Sequence, residues 1–248
     1  MTLPTRRSER RGAVRRSWTA DDAVVDGWGA ELFGWAVVGI GAATVIGHLI
    51  PDVLPGPAGS ATVQALVWIA LGIPVLLGLR RSRPRDLLAI RTIDVAAGLL
   101  LGILLRLADG AIEGIGGVSA AWPALITTDG GIPGEFWGRA AAGTLVTPIV
   151  EEMLFRGVVL VSLVLLLRPV AGSSAAAVAA IALSTTLFVV AHALSAPQSG
   201  AELLTLALLG LVAGILTMTT SRLAPAVVTH LVFNATGFAL LAVGTLLA

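Results

Sequence analysis

Three short polar groupings interrupt otherwise apolar sequence: Glu151-Glu152-x-x-x-Arg156, Phe188-x-x-x-His192 and His230-x-x-x-Asn234. Residues four apart share one face of a helix, so Glu152 and Arg156 are placed to pair and offset part of the cost of removing both charges from water. Glu151 is turned about 100° from its neighbour and is free to face something else. A carboxylate in a low-dielectric site holds its proton more tightly than in water, which suits a general base. His230 and Asn234 bring an imidazole and an amide to one small target. Phe188 sits one turn before His192 and restricts its ring. Glu151, the two histidines and Asn234 make a set suited to holding a hard-to-borderline divalent metal or to activating water; Asn is an unusual zinc ligand, whereas a glutamate with two histidines is a common catalytic zinc set. For Glu152 and Arg156 a buried pair that fixes helix packing is at least as natural as direct chemistry; for Glu151 chemistry is the favoured use. A lone histidine on an apolar stretch, such as His48, reads as a hydrogen-bonded interior residue.

The solvent around these groups follows from composition. The chain has 248 residues, 56% of them hydrophobic and 12% charged, with a mean hydropathy of +0.92. That is the composition of a membrane protein, and ionisable groups at bilayer depth mark functional sites by default. Cysteine is absent, which excludes disulfides, thiolate metal ligands and a cysteine nucleophile. The N-terminal arginines lack interleaved aromatics, so nucleic-acid binding has no support.

The elements that must carry the groupings form an all-α polytopic bundle of about seven transmembrane spans in one membrane domain. Residues 1–30 read as a polar tail, with Arg6, Arg7, Arg10, Arg11, Arg15 and Arg16 followed by Asp21, Asp22 and Asp26. The apolar run after it is too long and too late for a signal peptide. Spans are expected at 33–50, 61–79, 93–107, 138–167, 174–194, 203–219 and 225–247. The stretch 108–137 reads as a long loop carrying Asp109, Glu113, Asp129 and Glu135, with Trp122 and Trp137 suited to the interface. Pro148 is expected to kink the fourth span, and Arg168-Pro169 to end it. Residues 31–137 then form accessory spans and an interfacial loop, and 138–248 hold every polar grouping. Basic residues of the tail, the 80–92 loop, Arg168 and Arg222 fall on one side, which the positive-inside rule assigns to the cytoplasm, N-terminus included. All sixteen basic residues are arginine, in keeping with a bacterial cell membrane.

Glu151-Glu152-Met153-Leu154-Phe155-Arg156-Gly157, Phe188-x-x-x-His192 and His230-x-x-x-Asn234 resemble the three motifs of the CPBP family of intramembrane proteases, which includes type II CAAX prenyl endopeptidases and bacteriocin self-immunity proteins. The likeness takes in Gly210-x-x-x-Gly214 and Leu223-Ala224-Pro225 and covers about 138–237. Each motif is weak alone; the ordered trio in a multi-span chain is specific. The resemblance implies hydrolysis of a peptide bond in a membrane-associated protein or peptide. Glu151 would activate the water, His192 and His230 would hold that water or a metal ion with Glu151, Asn234 would stabilise the oxyanion, and Glu152, Arg156 and Phe188 would support them.

Other hydrolases are tested by absence. There is no His-Glu-x-x-His, Gly172-Ser173-Ser174 reads as a turn, and no paired intramembrane aspartates occur, Asp94 lying at a span edge. A membrane scaffold or transporter-like protein with a static polar network is the alternative from another class, and a metal-dependent lipid hydrolase the alternative enzyme. One conflict stands. Level up-and-down spans would separate His192 from His230 by about 20 Å, so a joint site requires tilt, stagger or broken helices.

Overall fold

The computed structural model describes residues 17–19, 22–54, 56–115, 123–125 and 131–247. Among them every regular element is helical: α1 (Ala30–Val53), α2 (Pro57–Arg81), α3 (Thr92–Ile115), α4 (Gly134–Ala141), α5 (Thr147–Glu152), α6 (Leu160–Ser195), α7 (Gly200–Thr220) and α8 (Ala224–Leu247). Two π-helical stretches, Ala142–Val146 and Met153–Val159, flank α5 and weld α4 to α6. The expected tail arginines, Asp21, Trp122 and Asp129 lie outside the described residues.

Six helices among the described residues are long and apolar enough to cross a membrane, against the seven expected. The difference lies in one continuous 62-residue stretch, Gly134–Ser195, that holds the expected fourth and fifth spans together. At 1.5 Å per residue it would measure about 90 Å, three times the hydrocarbon thickness, so it must bend. It does so at Gly172, whose φ of 74° is open to glycine and costly for other residues. The bend falls at the Gly172-Ser173-Ser174 turn read from the sequence, three residues beyond the proline that was expected to end the fourth span. The helix runs through Pro169, and glycine rather than proline makes the break. α3 also extends further than the expected third span, to Ile115, so Asp109 and Glu113 lie in helix rather than loop. Asp109 is accommodated there by Arg106 three residues before it and by Thr205 of α7.

Part of the segment read as a polar tail is packed. Trp18 and Trp28 are buried, and their indole N–H groups donate to Ser221 O (3.1 Å) and Gly78 O (2.9 Å). The α7–α8 turn is tied down from several sides at this end of the bundle. Arg222 forms two hydrogen bonds to Asp94 (2.6 and 2.7 Å), and Leu223 N–H donates to Leu87 O at 2.9 Å. The hydrogen bonds to the Asp94 carboxylate raise the Arg222 pKa further above its already high value. Ser221 takes up a left-handed conformation (φ 58°) at the centre of this clasp.

α3 lies against α8 at close range because glycines face it. A Cβ at Gly98 would come within 2.5 Å of Val228, and one at Gly102 within 2.7 Å of Thr229 O and of Val232. Small residues that let backbones approach are the usual contact in lipid, where burial of apolar surface gives no net drive. α7 begins with a capping box: Ser199 Oγ accepts from Glu202 N–H at 3.1 Å while Glu202 Oε2 accepts from Ser199 N–H at 2.6 Å.

Candidate active site

The two acidic motif residues occupy the last turn of α5, a six-residue α-helix set between π-helical turns. Pro148 gives the first of these a cause, because proline lacks the N–H that would bond residue 144 and its ring crowds that carbonyl, and a widened turn relieves both. Trp68 of α2 donates to Thr147 Oγ1 at 3.1 Å and fixes the start of α5. In the second widened turn, Phe155 O accepts from Leu160 N–H and from the buried Ser184 Oγ at 2.8 Å, which ties the far arm of α6 to this point.

The bend at Gly172 decides which residue of the returning arm meets Glu151. Gly172 lies 21 residues after Glu151 and 20 before His192, so folding the chain back on itself puts those two opposite each other. α8 arrives by a different route. Leu223, just before it, touches the Gly157 position, and Phe238 touches Gly143, so α8 runs antiparallel to the glutamate-bearing helix with His230 beside Glu151. The α7–α8 turn therefore sits level with Gly157, fifteen residues or about 20 Å short of the bend. That stagger is the distance which level spans would have left between His192 and His230.

The carboxylate of Glu151 faces both rings. Oε1 is 3.8 Å from His192 Nε2, and Oε2 is 3.8 Å from His230 Nε2. Neither is a direct hydrogen bond. Each ring is oriented from behind. His192 Nδ1 lies 2.9 Å from Phe188 O, and since a carbonyl can only accept, this nitrogen carries the proton. His230 Nδ1 lies 3.0 Å from Glu152 Oε1 and donates to that carboxylate. Both Nε2 lone pairs are thereby left toward Glu151, the arrangement by which a backbone or carboxylate acceptor sets an imidazole tautomer.

Glu152 and Arg156 form the floor. The Glu152 side chain is fully buried and that of Arg156 is 1% exposed, and Nη1 stands 3.1 Å from Oε1. The guanidinium lies 4.6 Å over the Phe188 ring, which in turn packs on His192 (4.4 Å), His230 (5.9 Å) and Phe155 (5.2 Å between centroids). Phe188 thus touches every ring and the cation of the cluster. Room for Arg156 comes from Gly210 of α7, where a Cβ would stand 3.2 Å from Nη2 and 2.9 Å from Thr185 Cγ2.

Asn234 lies one turn beyond His230, and its Nδ2 donates to Gly143 O, in the first widened turn, at 2.9 Å. One of its two amide N–H groups is committed there and one is left. His48 stands apart from all of this: it is exposed, and its Nδ1 is bonded to Thr44 O at 2.9 Å. Among the described residues no three histidine, aspartate or glutamate side chains are grouped closely enough to hold a metal ion together. Glu151 presents a different oxygen to each imidazole, with 3.8 Å across each gap.

Three acceptors thus converge, Glu151 and two imidazole lone pairs, 12%, 28% and 4% exposed at their side chains, so the cluster is screened yet reachable through His192. Such a set is complementary to a species that donates hydrogen bonds or carries positive charge. Sequence reading did not single out Ser184, Trp68 or Arg106 as supports; only Arg106, an ionisable residue in an apolar run, left a signal that could have found it.

Residues 133–236 match the family model described as type II CAAX prenyl endopeptidase Rce1-like, a segment that begins just before α4 and takes in all three motifs. The match covers less than half of the chain. No curated protein and no solved structure matches the chain.

Proposed function

We propose that this integral membrane protein, whose residues 133–236 match the Rce1-like family model, is a CPBP-type protease that hydrolyses a peptide bond of a membrane-associated substrate with a water molecule activated by Glu151. The family is one of peptidases, and intramembrane proteolysis in general follows from it. The finer reading rests on one observation: each oxygen of Glu151 faces an imidazole Nε2 at 3.8 Å, with both rings fixed from behind. A water between these acceptors gives one hydrogen to Glu151 and one to an imidazole, which directs its lone pair at a carbonyl carbon. Glu151 takes the proton as the C–O bond forms and passes it to the leaving amine as the C–N bond breaks. The remaining N–H of Asn234 is available to the oxyanion, and donors aimed at developing charge are usually the largest single contribution to such a reaction.

The static-network alternative draws on Glu152, Arg156 and His230, which are buried and joined to one another. Glu151 stands outside that network, with no direct hydrogen bond to either ring, and this favours chemistry at Glu151. Cells carrying the wild-type protein should contain membrane-protein fragments that vanish when Glu151→Gln replaces it, as read by terminal-peptide proteomics. Identical fragment sets would refute the assignment. With the arginine loop, Asp94, Arg222 and Trp18 gathered at one end, the positive-inside rule assigns that end to the cytoplasm.

The spacing of the acceptors does not suit a metal ion as it stands, and no step above passes through one. Dialysis of the purified protein against a strong chelator is therefore expected to leave cleavage unchanged. Loss of activity with recovery on adding zinc would contradict this and would assign the ion to Glu151, His192 and His230.

A further inference from the structure

A second polar cluster lies inside the bundle, built from α3 and α7 and reaching the motif turn of α8. Arg106 of α3 pairs through Nη1 with Asp109 Oδ2 at 2.5 Å, and Asp109 Oδ1 accepts from Thr205 Oγ1 of α7 at 2.8 Å. The other branch of the guanidinium, Nη2, crosses to α8 and donates to Phe233 O at 2.7 Å, while its carbon stands 3.9 Å over the Phe233 ring. The side chains of Arg106 and Asp109 are 19% and 13% exposed. Gly237 completes the fit, since a Cβ there would come within 2.5 Å of Nη2.

Phe233 is the residue before Asn234 and three after His230. A charged donor on that carbonyl fixes how far this turn of α8 is rotated and how deep it sits, because Asp109 and Thr205 hold the donor from α3 and α7. The glycine contacts at Gly98 and Gly102 leave α8 close to α3 without deciding its rotation. We propose that Arg106 is a positioning residue: it sets the turn of α8 that aims His230 at Glu151 and Asn234 at Gly143. The inference rests on the catalytic reading of those residues, and it makes α3, outside the matched segment, part of what the site requires.

Arg106→Lys keeps a charge for Asp109 but loses the forked reach to Phe233 O, and Gly237→Ala leaves Arg106 in place while pushing Nη2 away. Both variants are expected to fold and insert with thermal midpoints near wild type, and to lower kcat about tenfold or more with KM little changed, since misplacement by about 1 Å costs up to about a hundredfold. In an Asn234→Ala background the same changes should lower kcat by a smaller factor than in the wild type, because one of the two groups they aim is already gone while His230 remains. Equal losses in both backgrounds, or none in either, would overturn the proposal. A second readout needs no catalysis. In this cysteine-free chain, Gly143→Cys with Phe238→Cys places two thiols across α8 and the glutamate-bearing helix, and a short bifunctional thiol reagent reports their register. Cross-linking should slow when Arg106→Lys is added. If the wild-type protein cleaves nothing, the catalytic reading fails on its own, and unchanged cross-linking would overturn the positioning role separately.

Discussion

Glu151→Gln is expected to abolish cleavage, lowering kcat/KM by at least about a thousandfold while leaving the protein folded and inserted. The magnitude follows from what a positioned base contributes to proton transfer, about 10²–10⁴-fold, together with loss of the charge that orients the water. The amide keeps the shape of the side chain and removes its ability to take a proton. Folding should be spared because Glu151 stands at 3.8 Å from both imidazoles and lies outside the buried pair of Glu152 and Arg156. The check is kcat/KM for a membrane-embedded peptide, with the thermal midpoint measured on the same preparation. Retained cleavage would remove the base from the scheme.

Glu152→Gln should do the reverse, acting first on stability. The Glu152 side chain is fully buried, lies 3.1 Å from the Arg156 guanidinium and accepts from His230 Nδ1. Glutamine can still accept from the imidazole, but it leaves Arg156 buried without its nearest counter-charge. Removing one partner of such a pair typically costs about 3–5 kcal/mol, whereas replacing both by apolar groups of similar volume is often neutral. The double change Glu152→Leu with Arg156→Leu is therefore expected to unfold at higher temperature than Glu152→Gln alone, although it loses the acceptor behind His230 that glutamine keeps. Unfolding of the reconstituted protein by heat or denaturant reads both. A small effect from Glu152→Gln would show that Arg156 is held by Phe188 and solvent rather than by the ion pair.

The two cases mark what could be read from residues alone. The i, i+4 spacing of Glu152 with Arg156 and the distinct direction of Glu151 are properties of helix geometry, so they were legible before any packing was known. Which residue of the returning arm meets Glu151 was not, because it depends on where the long helix bends. Pro169 and the Gly172-Ser173-Ser174 turn both marked the region; the helix runs through the proline and breaks at Gly172, and a shift of three residues between them changes the pairing. The stagger of α8 was equally hidden, since it depends on the clasp of Trp18, Leu87, Asp94 and Arg222 around the α7–α8 turn, contacts between residues far apart in the chain. Widened turns on either side of α5 had one visible cause, Pro148, and one that only Ser184 and Phe155 O together disclose. Asp109 was placed in a loop because a carboxylate weakens an apolar pattern; Arg106 and Thr205, from two helices, make its place in α3 tenable.

Glu151 stands between His192 and His230, and the chain's three histidines allow that shared setting to be measured directly. In protein labelled with ¹⁵N-histidine, the ring resonances of His192 and His230 should both move on Glu151→Gln, while that of His48, exposed on α1, stays in place. Movement of one ring alone, or of neither, would contradict the account.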